Sequence, residues 1–323
     1  MKQGKNKVKV IGSGLIVVGI LLAVIGLLTG AKFSIINTGD GLKAVGESDR
    51  LQEEFILEEY KNLDVDLADA DIEIIPSNEF RLEIERLDGI EISHKVENEV
   101  LKISDEKSAN TWFGFSMNLS GFTDKTNIKI YVPVDAELED AKISSKFGDI
   151  HIDGISVDQW VIQATDGDVA IYDINSNGLT IENRFGDVTA SDVKTHDFMI
   201  EMTDGSNEFK SIDAVNTNIK IEFGDTYFEN FTSQGAKIES TDGDIEINGV
   251  LFGETMIESK FGSVYLDLAN KESELSYTIK SSFGDVYVND KELGVKASHS
   301  AKTDNKMEIS TSDGDVEVTF NEE

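Results

Sequence analysis

A glycine recurs at one fixed interval through the second half of this chain, and no other feature restricts the fold so severely. Gly148, Gly167, Gly186, Gly205, Gly224, Gly243 and Gly262 keep the interval, and Gly284 and Gly314 follow at longer ones. Each is preceded by Phe or Asp and followed by Asp or Ser. A fixed period of this length marks stacked supersecondary units, none of which can bury its apolar face without its neighbours.

Alignment on the glycine exposes the reason for the period. Five residues before it stand Ile143, Ile162, Ile181, Ile200, Ile219, Ile238, Ile257, Ile279 and Ile309, without exception. Nine isoleucines at one phase predict a core column. Two and four residues after the glycine come pairs such as Ile150/Ile152, Val169/Ile171, Ile245/Ile247 and Val316/Val318, alternating with polar residues. That period of two, rich in β-branched side chains, predicts short strands with one face buried. The expected fold is all-β: a parallel β-solenoid of about 19 residues per coil, equivalent residues stacking ~4.8 Å apart. Parallel crossovers favour a right-handed coil. A coil of twice that length, with bends of two kinds on opposite sides, is the alternative. Glycine at the bend implies either positive φ or a site too crowded for Cβ, and aspartate is a usual turn companion.

The ends are less regular. Ala70, in the run Val65 to Ile74, fits the template with alanine in place of glycine, and Gly89 retains Ile84 five residues before it. Residues Ile90 to Ile103 alternate around Glu97-Asn98, and Ile128 to Val132 reads as a strand ending at Pro133. Residues 55–135 are therefore expected to form an N-terminal β cap and first coils, shielding the solenoid edge, with the regular solenoid at 136–323. The longer late spacings predict loops, mainly between Asn289 and Lys306.

Residues 1–9 form a basic tail carrying Lys2, Lys5, Lys7 and Lys9, and Val10 to Ala31 contains no charged residue. The length suits a transmembrane helix at 10–33, for which ~20 apolar residues suffice. The lysines then stay in the cytoplasm and the solenoid lies outside, a single-pass arrangement in the cell membrane. A cleaved signal peptide ending near Thr29-Gly30-Ala31 competes, although the apolar stretch exceeds the usual core of ~7–15 residues. Gly12, Gly19 and Gly26 recur every seventh position and would share one side of the helix, a face suited to close pairing with a second copy or a polytopic partner. The general abundance of glycine in membrane helices is the favoured explanation over such a face. Residues 34–54 read as a polar linker.

The net charge is −33, and residues 34–323 hold 24 basic against 62 acidic side chains, a net −38. Nucleic acid and anionic lipid are poor partners for such a surface, whereas cationic peptides or a basic protein face suit it. The chain has no cysteine, which excludes disulfides and thiol catalysis. His94, His151, His196 and His299 are scattered without metal-ligand spacing, and no nucleophile elbow, P-loop or dinucleotide fingerprint appears. A polysaccharide-cleaving β-helix enzyme is thus the third choice, and no enzyme is expected.

Two columns flank the glycine. After it stand Asp149, Asp168, Asp187, Asp225, Asp244, Asp285 and Asp315, interrupted by Ser206 and Ser263. Stacked carboxylates could hold Ca²⁺, yet the Gly/Asp nonapeptide of calcium-binding β-rolls is absent, so solvated turn aspartates are expected and no cofactor. Before it the identity alternates: Phe147, Asp166, Phe185, Asp204, Phe223, Asp242, Phe261, then Phe283 and Asp313. Phe147, Phe185, Phe223 and Phe261 are candidate partner contacts, with Lys146, Arg184 and Lys260 beside three of them; the competing view is an alternation that merely breaks up a charge column. Trp112 and Phe113, with Phe115, Met117, Leu119 and Phe122, offer either a contact surface or a lid. Lys291, Lys296, Lys302, Lys306 and His299 form a basic island able to meet an acidic surface.

The segments Thr165-Asp166-Gly167-Asp168-Val169-Ala170-Ile171 and Thr241-Asp242-Gly243-Asp244-Ile245-Glu246-Ile247, with Ala70 to Pro76 and the strand ending at Pro133, resemble the bacterial envelope β-solenoid family called "putative adhesins". With one N-terminal span, the arrangement is similar to LiaG-like proteins of Gram-positive cell-envelope stress operons. The resemblance covers nearly all of the chain after residue 55. It implies a membrane-anchored, non-enzymatic interaction module in envelope-stress sensing or regulation, with an envelope-stress membrane protein or a cationic peptide as partner. The alternative it implies is a surface adhesin for external ligands. No catalytic residue carries over, and the Phe/Asp alternation departs from the small residues frequent at that position.

Overall fold

The computed structural model describes residues 2–28, 34–38, 41–45, 49–105 and 125–321. Trp112, Phe113 and their apolar neighbours lie outside the described residues. The chain divides into two compact units. One holds α1 (Lys2–Leu28) and an antiparallel hairpin of β1 (Ser34–Thr38) and β2 (Gly41–Val45), so strands occupy part of the stretch read as a linker. At ~1.5 Å per residue α1 is ~40 Å long. Among the described residues no helix is long and apolar enough to cross a membrane. From Leu15 to Ile25 the large apolar side chains are exposed, and Gly12 and Gly19 have open space where a Cβ would stand.

The other unit is the solenoid. Its strands begin with β3 (Arg50–Ile56), β4 (Asn62–Ser77), β5 (Arg81–Leu87), β6 (Ile92–Glu97), β7 (Val100–Asp105), β8 (Thr126–Pro133), β9 (Leu138–Phe147), β10 (Ile150–Asp153) and β11 (Val157–Asp166). Five strands of 17 residues follow: β12 (Val169–Phe185), β13 (Val188–Asp204), β14 (Asn207–Phe223), β15 (Thr226–Asp242) and β16 (Ile245–Phe261). The chain closes with β17 (Val264–Leu268), a 3-10 turn at Glu272–Glu274, β18 (Ser276–Phe283), β19 (Val286–Val288), β20 (Lys291–Glu292), β21 (Lys296–His299), β22 (Lys306–Asp313) and β23 (Val316–Phe320).

In the regular part every pairing is parallel and joins residues to their equivalents in the next repeat, as in Val188↔Asn207 and Ile200↔Ile219, apart from a one-residue slip where Phe231 to Ser233 of β15 pair with Gly249 to Leu251 of β16. One coil is therefore a single glycine-to-glycine repeat, and the coil of double length is ruled out. The isoleucine column is buried throughout, none of the nine more than 3% exposed. Phe198, Phe209, Phe228 and Phe231 form a continuous aromatic chain beside it, with ring centroids 4.6–5.4 Å apart. Eight of the bend glycines have φ between +124° and +152°, and a Cβ on any of the nine would lie 2.0–2.3 Å from the carbonyl oxygen one level away. Positive φ and lack of room therefore act together. A second bend, six positions past the glycine, is a column of left-handed residues: Gly154, Asp173, Asp192, Ser211 and Asn230, with φ from 49° to 64°. Asp and Asn tolerate this region better than other side chains.

Both ends depart from sequence order. Ala70 pairs into the level of Gly148, with Ile72↔Ile150 and Val65↔Ile143, so β4 is the first coil as the Ala70 template predicts. On its other side β4 pairs in parallel with β7 (Val65↔Ile103) and β8 (Ile72↔Ile128). The segment that follows β4 in sequence thus stacks outside it. Hairpins then cover that outer level: β6 is antiparallel to β7 across the turn at Asn98 and Glu99, and β5 is antiparallel to β8. Gly89 is therefore not a coil glycine, because Ile84 pairs antiparallel with Ile128 on the cap.

The C-terminal end repeats the device. β22 and β23 pair with β16 and β17 (Ile257↔Ile309, Val264↔Val316) and, on their other side, with β18 and β19 (Ile279↔Ile309, Val286↔Val316). The glycines stack in the order Gly243, Gly262, Gly314, Gly284. β20 and β21 pair antiparallel with β19 and β18, so the residues after Asn289 expected as loop include two cap strands. An exposed parallel edge would template association with another chain, and antiparallel caps shield it.

Candidate functional site

One edge of the solenoid is built by the bend itself. The residue before each glycine points outward, and the pairing places these residues in one row: Asp69, Phe147, Asp166, Phe185, Asp204, Phe223, Asp242, Phe261, Asp313 and Phe283. The alternation fails in sequence, where Phe261 is followed by Phe283 and then Asp313. It is complete in space because β22 inserts between β16 and β18. Phe147, Phe185, Phe223 and Phe261 are 48–55% exposed, and Phe283 on the outermost level is 78% exposed. With levels ~4.8 Å apart, the rings recur every ~9.6 Å.

On one flank runs the aspartate column, and it is a hydrogen-bonded ladder. The Asp149 N–H donates to Asp71 Oδ1 (2.9 Å), Asp168 to Asp149 (3.0 Å), Asp187 to Asp168 (2.8 Å) and Ser206 to Asp187 (2.8 Å). Asp244 donates to Asp225 and Ser263 to Asp244, and after the reordered levels Asp285 donates to Asp315 (2.8 Å). One oxygen of each accepting carboxylate thus holds the next coil's bend. Among the described residues no group of three or more His, Cys, Asp or Glu is placed to hold a metal ion. The other flank, one position before the row, carries Lys146, Arg184, Glu222 and Lys260.

The histidines stay apart. His94 packs on Phe55 (4.1 Å between ring centroids), where burial holds its pKa below the usual value; His151 lies near Tyr172, His196 pairs with Asp197 (3.1 Å), and His299 stacks beside Tyr277. The Tyr277 hydroxyl donates to Glu272 (2.7 Å), and burial pushes its pKa upward. An open groove of about 630 Å³ crosses the reordered levels, lined by residues including Asn216, Lys237, Glu254, Met256, Tyr277 and His299. Its lysines are matched within the fold, Lys237 to Glu239 and Lys306 to Glu254.

Phe147, Phe185, Phe223 and Phe261 are brought together as the sequence spacing predicts, whereas Lys296 stands on β21 and Lys302 in the segment before β22, apart from that row. Lys296 lies opposite Lys280 in the cap. The left-handed column from Gly154 to Asn230 escaped the sequence reading, although its Gly, Asp, Ser and Asn residues recur at the same interval as the bend glycines.

Fold and edge together define a class: capped parallel β-solenoids with a glycine bend and an outward side-chain ladder. The Toastrack DUF4097 family model matches residues 60–319, and the chain belongs to that family. Solved structures are similar to the chain at low identity. A "putative lipid binding protein" from Parabacteroides distasonis is 12% identical with a TM-score of 0.50, covering 84% of this chain and 98% of its own. A "putative adhesin" from Parabacteroides merdae is 13% identical with a TM-score of 0.47, covering 84% and 97%. No curated protein matches the chain.

Proposed function

We propose that this chain is a non-enzymatic binding module of the cell envelope, held at the membrane by its N-terminal helix with the solenoid outside, and acting in envelope-stress sensing or regulation. The observation that supports the binding role best is the row of half-exposed phenylalanines in strict register on a rigid edge. Large apolar rings left half in water at fixed intervals are more than the fold needs, and aromatic groups are the usual anchors of an interface. The anchor rests on the uncharged run from Val10 to Ala31 behind four lysines.

Photo-crosslinking groups placed at Phe185 and Phe223, with Lys296 as a second site, test this in living cells with and without an envelope-active antibiotic. Capture of a membrane protein from the Phe positions, changing with antibiotic, is expected. Capture of external ligands alone would favour an adhesin, and no capture by correctly displayed protein would overturn the binding role of this edge.

A further inference from the structure

We propose that the Phe–Asp row takes a cationic amphipathic helix lying along the solenoid axis. This deepens the binding-module proposal and rests on it. The argument begins with charge. Asp166, Asp204, Asp242 and Asp313 are exposed and have no ion-pair partner among the described residues, while the adjoining ladder adds carboxylates that each accept only one N–H from the neighbouring coil. In a chain with net charge −38 beyond residue 33, this edge draws a cationic segment and repels an anionic one.

Spacing then selects the ligand's shape. Apolar rings recur every ~9.6 Å, with an aspartate midway at ~4.8 Å. About seven residues of α-helix rise ~10.5 Å, and three or four rise ~4.5–6 Å. A helix with an apolar residue at every seventh position and Lys or Arg midway therefore meets Phe185, Asp204, Phe223, Asp242 and Phe261 in turn. The accumulated mismatch over the three rings is ~2 Å, within the swing of a half-exposed Phe side chain. An extended strand brings same-face residues ~6.7 Å apart and falls out of step after one repeat. The two flanks orient the helix. Lys146, Arg184 and Lys260, broken by Glu222, lie on one side of the row and the acidic ladder, interrupted only by Ser206 and Ser263, on the other, so the ligand's basic face turns toward the ladder.

The test uses the full chain in nanodiscs of zwitterionic lipid and a labelled synthetic helix of about 18 residues. The probe has Leu at every seventh position and Lys midway; a control has the same composition in scrambled order. Fluorescence anisotropy is expected to show the patterned peptide binding about tenfold more tightly than the scrambled one, a difference lost in Phe185→Ser/Phe223→Ser. Asp204→Asn/Asp242→Asn is expected to weaken binding and flatten its salt dependence. Unchanged far-UV circular dichroism and a cooperative melting transition above the assay temperature in both variants exclude misfolding as the cause. Equal binding of both peptides, or undiminished binding by the double Phe variant, would overturn the proposal, as would preference for a neutral glycan oligosaccharide. If the peptide fails while crosslinking from Phe185 captures another partner, the binding module stands and this ligand class falls. If both fail, the edge is structural.

Discussion

Replacing Gly224 with alanine should damage the stack far more than the same change at Gly154. At Gly224 the new Cβ would stand 2.0 Å from Gly205 O, and φ is +124°, a conformation outside the ordinary left-handed well. Reaching ordinary contact requires the levels to part by more than ~1 Å there, across the bonds Gly205 N–H to Phe223 O (3.2 Å) and Asn207 N–H to Asp225 O (2.9 Å). Two such bonds are worth ~2–3 kcal/mol, and the backbone strain adds ~1–3 kcal/mol, giving about 3–6 kcal/mol in total. At Gly154 φ is +64°, and the nearest atom to a Cβ is Pro76 Cγ at 3.4 Å, an ordinary contact. Only the left-handed penalty applies, ~1–2 kcal/mol, and Gly154→Asn should cost less, because asparagine tolerates that region. Urea unfolding followed by far-UV circular dichroism, under identical conditions for all three variants, measures the differences. If Gly224→Ala costs no more than Gly154→Ala, crowding between levels does not explain the glycine column.

The reordered C-terminal levels yield a sharper topological test. A chain ending after His299 lacks β22 and β23, the only parallel partners of β18 and β19 among the described residues, so hydrogen exchange in Ser276–Val288 should lose its protection while β14 and β15 keep theirs. Protection retained there would mean that β18 stacks directly on β16. Ile219→Ala, at a fully buried position mid-column, should cost about 2–5 kcal/mol in the same urea experiment; less than about 1 kcal/mol would refute the tight core. The Asp197 carboxyl is held below its ordinary pKa, chiefly by the Asn216 side-chain N–H (2.8 Å) and also by His196. A folded pKa below the unfolded value stabilises the protein above the ordinary carboxylate range, and that contribution fades as pH falls through the lowered pKa. Asn216→Ala should move the Asp197 titration upward by NMR and flatten this acid dependence; an unmoved titration would refute the assignment.

Much of this protein is local, and local features are legible in residues. The glycine period, an isoleucine at one phase and the bend itself define the coil, because each depends on the same few neighbours in every repeat. The outward Phe/Asp position follows from that phase, so the candidate edge could be found before the fold was known. The second bend was legible too, in Gly154, Asp173, Asp192, Ser211 and Asn230, but needs an alignment on a second column.

What the residues alone did not determine is the order in which the end levels stack. Ile309 pairs equally well, by side chain, with Ile257 or with Ile279, since all three carry the same repeat. Which strand lies between the others depends on where the cap hairpins can fold back: Lys296 to His299 against β18, and Ile84 against Ile128. These are non-local pairings whose energy is realised only when the whole end assembles. The same assembly restores the Phe–Asp alternation that the sequence breaks at Phe283. The coil belongs to sequence because one repeat encodes it; the closed ends and the unbroken row belong to tertiary structure because they exist only between repeats.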